Sequence, residues 1–172
     1  ISPGAWQRMR DTLRLEEPYP GFTALIHLRA ASGEQLTELI ESQRMLGGQD
    51  FVLKPAGQRD FHVVVTNLAP VTEKNRVALG IDSWNSPERR DALERARDSG
   101  NPQLSAQVQL VVDQGPDAQP GFLIYQPLYR GGALPDTVEQ RRALLVGFVG
   151  TSLRYQDLFH QLSPAARQAL AV

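Results

Sequence analysis

The residues able to do chemistry in this 172-residue chain are few and dispersed. Its three histidines, His27, His62 and His160, stand far apart with no second ligand at metal-site spacing, so each is predicted to be structural or superficial. The chain has no cysteine, which removes disulfides, thiolate metal sites and a thiol nucleophile. No Gly-x-Ser-x-Gly elbow, Gly-Lys-Ser/Thr phosphate loop or His-Glu-x-x-His pair occurs. Asp60, Glu73, Asp82 and Asp113 are scattered, so nothing favours a paired-carboxylate hydrolase. Gly147-Phe148-Val149-Gly150 reads as close backbone packing within a strand. The sequence displays no catalytic constellation, and neither metal nor cofactor is implied.

One cation stands apart from this pattern. Ser86-Pro87-Glu88 opens a helix that runs to Gly100, and the three-and-four rule puts Arg89 on one face with Ala92, Leu93 and Ala96. Arg90, Glu94 and Arg97, like Glu88, Asp91 and Arg95, form stripes that read as solvated, self-paired charge. Arg89 therefore points with the apolar face, in a first turn whose dipole favours negative groups. Two compensations are open. One is an internal carboxylate such as Asp82, a structural pair. The other is an anionic ligand, for which a guanidinium beside free helix N–H groups makes a carboxylate or phosphate site.

The elements that position Arg89 are legible from spacing. Ser2-Pro3 starts a first helix to about Leu15, with Trp6, Met9 and Leu13 at helical intervals. Pro18 to Gly21 breaks it, and Phe22 to Leu28 is a strand. Ser32 and Gln35 form a capping-box signature before a helix carrying Leu36, Leu39 and Ile40, which Gly47-Gly48 ends. Phe51 to Leu53 and Phe61 to Leu68 read as a hairpin. Thr72 to Leu79 is a short helix, then comes the Ser86 helix. Long strands from Leu104 to Asp113 and from Phe122 to Tyr129 flank a Gly115-to-Gly121 turn. A helical turn from Thr137 to Arg141 precedes a strand from Ala143 to Thr151 and a helix carrying Leu153, Leu158 and Phe159. Helices set between antiparallel strand pairs predict an α+β fold, because no regular βαβ alternation requires a parallel sheet.

Composition narrows the partners. Lys and Arg total 18 against 19 Asp and Glu, and the formal net charge of -1 disfavours nucleic-acid binding. The apolar run from Ala143 to Gly150 is far below the roughly 20 residues needed to cross a bilayer. The chain starts at Ile1 and stops just after a helix start at Ser163-Pro164, which reads as a portion of a longer protein whose membrane segments lie outside this sequence.

The order of short motifs from Phe61 onward carries a resemblance. Val65-Thr66-Asn67-Leu68-Ala69-Pro70 is followed by Asn75 and by Leu79-Gly80-Ile81-Asp82. Then come Arg89-Arg90-Asp91-Ala92-Leu93-Glu94-Arg95-Ala96, Ser99-Gly100, Leu104-Ser105, and Gly121-Phe122-Leu123-Ile124-Tyr125-Gln126-Pro127-Leu128-Tyr129. No single tetrapeptide is specific, but this ordered combination resembles the CHASE family from about Trp6 to Phe159. The similarity is to the CHASE1-type input domains of bacterial membrane receptors and to the sensor module of plant cytokinin-receptor histidine kinases.

The resemblance implies an N-terminal helix followed by two PAS-like antiparallel-sheet subdomains. A membrane-distal lobe would span about residues 20–130 and a membrane-proximal lobe about 131–162 plus the N-terminal segment, within a single sensor domain of residues 1–172. It implies a homodimeric periplasmic or extracellular domain, flanked by transmembrane helices and feeding a histidine kinase or a cyclic-di-GMP enzyme. The domain itself is expected to be no enzyme, and its partner to be a small-molecule ligand. Counting back from Ser99-Gly100, Arg89 aligns with an aspartate that hydrogen-bonds adenine-type ligands in cytokinin receptors. The reversed charge turns the expectation towards an anionic or acceptor-rich ligand, since a donor ring would meet only donors. Ser105 and Tyr125 align with pocket positions and offer hydroxyls. Trp84 beside Asp82 offers an aromatic wall, and Phe61 and Val63 line the same cavity from the neighbouring strand. The candidate ligand-binding residues are thus Arg89, Ser105, Tyr125, Trp84, Asp82, Phe61 and Val63. The alternatives are a ligand-free dimerisation or interaction domain and a sensor of cytokinin or adenine derivatives.

Overall fold

Alternating burial builds the sheet. In the computed structural model, which describes residues 2–13, 24–46, 50–111 and 120–154, strand β5 (Pro120–Tyr129) buries Gly121, Leu123, Tyr125, Pro127 and Tyr129 and leaves the residues between them half exposed. Strand β6 (Leu145–Arg154) pairs with β5 along its length and with β1 (Leu25–Ser32) on its other edge. β1 in turn pairs with β2 (Phe61–Ala69). At the far edge, β3 (Gln103–Leu104) and β4 (Val108–Gln109) both pair with β5. The result is one antiparallel sheet of six strands in the order β2-β1-β6-β5-β3, with β4 also on β5. Four helices accompany it: α1 (Pro3–Leu13), α2 (Leu36–Met45), α3 (Pro87–Ser99) and α4 (Val138–Leu144). The fold is α+β and PAS-like.

The sheet's two faces carry separate cores. Ile26, Leu28, Val63, Val65, Leu68, Leu123, Tyr125 and Phe148 face Ala92, Leu93 and Ala96 of α3. On the reverse side Ala31 and Val64 pack with Phe51 and with Leu36 and Leu39 of α2. Trp6 of α1 sits on Leu25 and Ala69, and its indole N–H donates to the Leu25 carbonyl at 3.1 Å. A bulge keeps β2 in phase. Leu28 pairs with Val65 but His27 with Asn67, so Thr66 is the additional residue and Val63, Val65 and Leu68 all reach the α3 side.

The start and stop of α3 have local causes. Pro87 occupies the first turn, where its missing N–H costs nothing. Gly100 closes the helix in the left-handed region at φ 77°, its N–H bonding the Ala96 carbonyl. A Cβ there would collide with the Leu134 side chain, so glycine serves both the conformation and the close approach. The far end of α3 is clasped to α4. Asp98 accepts from Arg142 at 2.6 and 3.0 Å and from Arg97 at 2.7 Å, and Arg141 donates to the Asp98 carbonyl at 2.8 Å. α4 starts with a complete capping box between Thr137 and Gln140.

Several expectations change. Phe51 to Leu53 forms no hairpin with β2, because β1 occupies one edge of β2 and the backbone around Ile81 and Asp82 meets it on the other. Lys54 instead bridges Ile81 in parallel. The expected strand from Leu104 is broken into β3 and β4 at Ser105, whose hydroxyl intrudes into the pairing with β5 by accepting the Leu123 N–H at 2.9 Å. Thr72 to Leu79 shortens to a single 3-10 turn, Arg76–Ala78. Leu153 belongs to β6 rather than to a helix, paired with Phe122. Leu158, Phe159 and His160 lie outside the described residues. β6 comes from the stretch expected to form a membrane-proximal lobe, and it lies between β1 and β5 within the same sheet.

Candidate functional site

The core between the sheet and α3 is incompletely filled. A cavity of about 70 Å³ lies there, walled by Ile26 and Leu28 of β1, Val65 and Leu68 of β2, Leu123 of β5, and Leu110. Asn75, Ser83, Arg89, Tyr125 and Ser152 bring polar atoms to this aliphatic wall.

Tyr125 is the deepest of these. Strand alternation turns it inward beside Leu123, and only 1% of its surface is exposed. Its hydroxyl is buried and has no hydrogen-bond partner. Burial pushes the phenol up to about 12, while the Arg89 charge and the nearby Ser83 hydroxyl act in the opposite sense. Ser83 is close enough to be felt electrostatically but lies outside hydrogen-bond geometry. The phenol is therefore a neutral donor at any ordinary pH.

Arg89 is the third residue of α3, and its Nε is likewise buried without a partner. No salt bridge among the described residues involves it. The same side chain lines a more polar outer groove with Lys54, Asn85, Ser86, Glu88 and Gln107, so it stands between that groove and the inner cavity. Ser86 does not cap α3, since its hydroxyl donates to the Glu88 carboxylate at 2.7 Å.

Asp82, the carboxylate offered by the sequence to Arg89, is committed elsewhere. One oxygen accepts the Val63 N–H at 3.0 Å and the Trp84 N–H at 3.1 Å. The other takes His62 Nδ1 at 2.8 Å and the Arg59 guanidinium at 3.5 Å, and the side chain is fully buried. Asp82 thus fastens the 3-10 turn Ser83–Asn85 to β2 and thereby sets where Ser83 and the start of α3 lie.

The seven candidate residues fall into three groups. Arg89 and Tyr125 meet at the cavity, and Asp82 borders the outer groove. Ser105, Trp84, Phe61 and Val63 do not line the cavity. The Ser105 hydroxyl is used twice, accepting from Leu123 N–H and donating to the Ala106 carbonyl at 2.7 Å. Trp84 packs edge-on against Phe61 at 4.8 Å, with the Arg97 guanidinium 5.6 Å from its ring centre. Val63 is fully buried in the core facing α3. Sequence reasoning missed Asn75, Ser83 and Ser152 and most of the aliphatic wall. The period-two rule that turns Tyr125 inward also turns in Leu123, and Val65 follows from Val63, so part of the wall had a signal. Ser83 had none, because its position comes from the Asp82 turn.

The two described histidines, His27 and His62, hold structural contacts. His27 meets the Thr66 hydroxyl at 2.8 Å and packs on Trp6, and burial, helped by the Arg29 charge, pushes it down to about 4. His62 serves Asp82. Among the described residues no group of His, Asp and Glu is arranged to hold a metal ion. The cavity assembles unsatisfied donors against an apolar wall, an arrangement suited to holding a molecule.

The CHASE domain model matches residues 1–172, the whole chain. No curated protein sequence shows significant similarity to it. CHASE domains are extracellular, sensory and non-catalytic modules of signalling receptors. An α+β sheet domain matched by that family model over its full length is a CHASE domain: the chain belongs to this family of receptor sensors.

Proposed function

We propose that this domain is the periplasmic or extracellular input module of a transmembrane receptor and that it binds a small anionic or acceptor-rich molecule in the cavity at Arg89 and Tyr125. The observation that carries the reading is the pair of buried donors without partners, Arg89 Nε and the Tyr125 hydroxyl, on the wall of one cavity. A buried donor left unpaired costs about 1–3 kcal/mol, so a fold that keeps two at one cavity is poised for an acceptor.

Family membership supports the rest. In this reading transmembrane helices flank the domain, it works as a homodimer, and its output is a histidine kinase or a cyclic-di-GMP enzyme. Occupancy would shift the population between two packings of the sheet against α3 and pass that shift to the output. Asp82, Ser105, Trp84, Phe61 and Val63 support the site from behind its lining. Cytokinin-type recognition is disfavoured, because an N–H donor on a purine would face the donors of Arg89 and Tyr125.

Thermal-shift screening of organic acids, nucleobase derivatives and other metabolites tests the reading, since a ligand selective for the folded state raises the melting temperature with concentration. A hit that vanishes in a folded Arg89→Ala variant supports it. A silent panel overturns it in favour of a ligand-free dimerisation module.

A further inference from the structure

The cavity constrains its occupant more tightly than "anionic or acceptor-rich". Sign comes first. Among the described residues that line the cavity, Arg89 carries the one formal charge at neutral pH and none is acidic. Asp82, which borders the outer groove, is already held by four donors. An ammonium group entering this space would meet a guanidinium and no carboxylate among the described lining residues, which sets amines and zwitterionic amino acids against the site.

The donors define the head group. Arg89 Nε and the neutral Tyr125 hydroxyl each have one proton to give and no acceptor to give it to. A carboxylate has two acceptor oxygens and no donor, and charge-assisted bonds of this kind are the strong ones. The first turn of the 13-residue α3 adds a favourable field, its N-cap Ser86 making no side-chain cap. A second carboxylate finds no second cation among the described residues that line the cavity. In the outer groove it would lie between the Glu88 and Asp82 carboxylates and the Lys54 ammonium, one of whose protons goes to the Val77 carbonyl at 3.3 Å.

Size fixes the tail. A cavity of roughly 150 Å³ holds the six carbons of benzene, so the 70 Å³ here takes about three carbons. Most of the described lining residues are aliphatic, and Tyr125 is the one aromatic among them.

We propose that the ligand is a short aliphatic monocarboxylate of about four to five carbons, its carboxylate held by Arg89 and Tyr125 and its alkyl chain in the cavity; this rests on reading the cavity as the sensor's ligand site. The lone cation among the described lining residues sets amino acids and dicarboxylates at a disadvantage, and the small volume does the same for long-chain fatty acids.

The test is calorimetric and thermal-shift titration of the folded domain, at constant ionic strength, with sodium salts from acetate to octanoate, and with butyramide, 2-aminobutyrate and succinate as controls. Butyrate and valerate are expected to bind best, with butyramide and 2-aminobutyrate at least about tenfold weaker. Arg89→Gln is expected to lose about tenfold or more in butyrate affinity, as is Tyr125→Phe, both with the fold intact by circular dichroism. Equal binding of butyramide, equal binding of 2-aminobutyrate, tightest binding of octanoate or succinate, or unchanged affinity in both variants each overturns the proposal. If no acid binds while a nucleobase or other neutral metabolite does, the ligand class falls and the sensor reading stands. If nothing in the wider panel binds, both fall.

Discussion

Replacing Tyr125 with phenylalanine separates a binding role from a structural one, because the two predict opposite signs. In the ligand-free protein the hydroxyl is buried without a partner, and the ring lies edge-on to Phe148 with centroids 6.2 Å apart. Phenylalanine keeps that ring contact and removes only the unsatisfied oxygen. An unpaired buried hydroxyl costs about 1–3 kcal/mol, so Tyr125→Phe should stabilise the free domain by about 1 kcal/mol after allowing for some loss of packing. For a chain of this size that is a rise of about 2–4 °C in melting temperature. Affinity for the ligand should fall about tenfold, since a donor to a charged acceptor is lost. The alkaline limb should change as well. The folded phenol is raised to about 12 from an ordinary 10, so the fold favours the protonated form. That contribution is fully present below pH 10 and is lost between pH 10 and 12, by up to about 3 kcal/mol, and Tyr125→Phe should lack this component. Urea unfolding at several pH values with an unchanged m-value reads the stability, and titration calorimetry reads the affinity. A variant destabilised by 1 kcal/mol or more would refute the reasoning, since the hydroxyl would then be satisfied by Ser83 and no unmatched donor would face the cavity.

Three further perturbations test the supporting structure. Asp82→Asn should destabilise the domain by about 3–5 kcal/mol in chemical denaturation, because the buried carboxylate serves two backbone N–H groups, His62 and Arg59. Ser105→Ala should cost about 1–2 kcal/mol by leaving the Leu123 N–H unpaired, with no change in ligand affinity; a matching loss of affinity would put Ser105 in the site. The folded pKa of His27 is lowered to about 4 from 6.5, so the neutral ring is favoured in the fold. Its contribution is full above pH 6.5 and is lost as pH falls towards 4, by about 3 kcal/mol, and His27→Gln should flatten that part of the pH-stability curve.

What the sequence disclosed and what it hid divide along the range of the interactions involved. α3 was legible end to end because Ser86-Pro87 and Gly100 act on their own backbone, and α4 because Thr137 and Gln140 satisfy each other. Tyr125 was placed at the pocket by the resemblance; alternation adds that it shares a face with Leu123, without saying which face is inward. Pairing was harder. Pro55 and Gly57 mark a turn, but they do not say which edge the next strand will join, and β2 found β1 rather than Phe51 to Leu53. Ser105 shows a related limit: the sequence offers a hydroxyl on a strand face but does not say that the Leu123 backbone amide donates to it.

Arg89 shows how such competition creates a site. A sequence carrying both Asp82 and Arg89 permits an ion pair between them, and on Coulombic grounds alone that pair would form. Buried amides change the outcome. The buried Val63 N–H would cost about 1–3 kcal/mol unpaired and the half-buried Trp84 N–H adds to that, so the carboxylate is worth more to them and to His62 than to an arginine that still borders a solvent-facing groove. Asp82 is thereby withdrawn from Arg89. Arg89 is left lining a cavity with Tyr125, its Nε unpartnered and no salt bridge to it among the described residues. The cavity itself has no motif, since empty space is a property of how Leu110, Leu123 and Val65 fail to meet. Its chemistry, however, follows from a structural residue having been satisfied first, which is why disturbing Asp82 should alter the site although Asp82 borders only the outer groove.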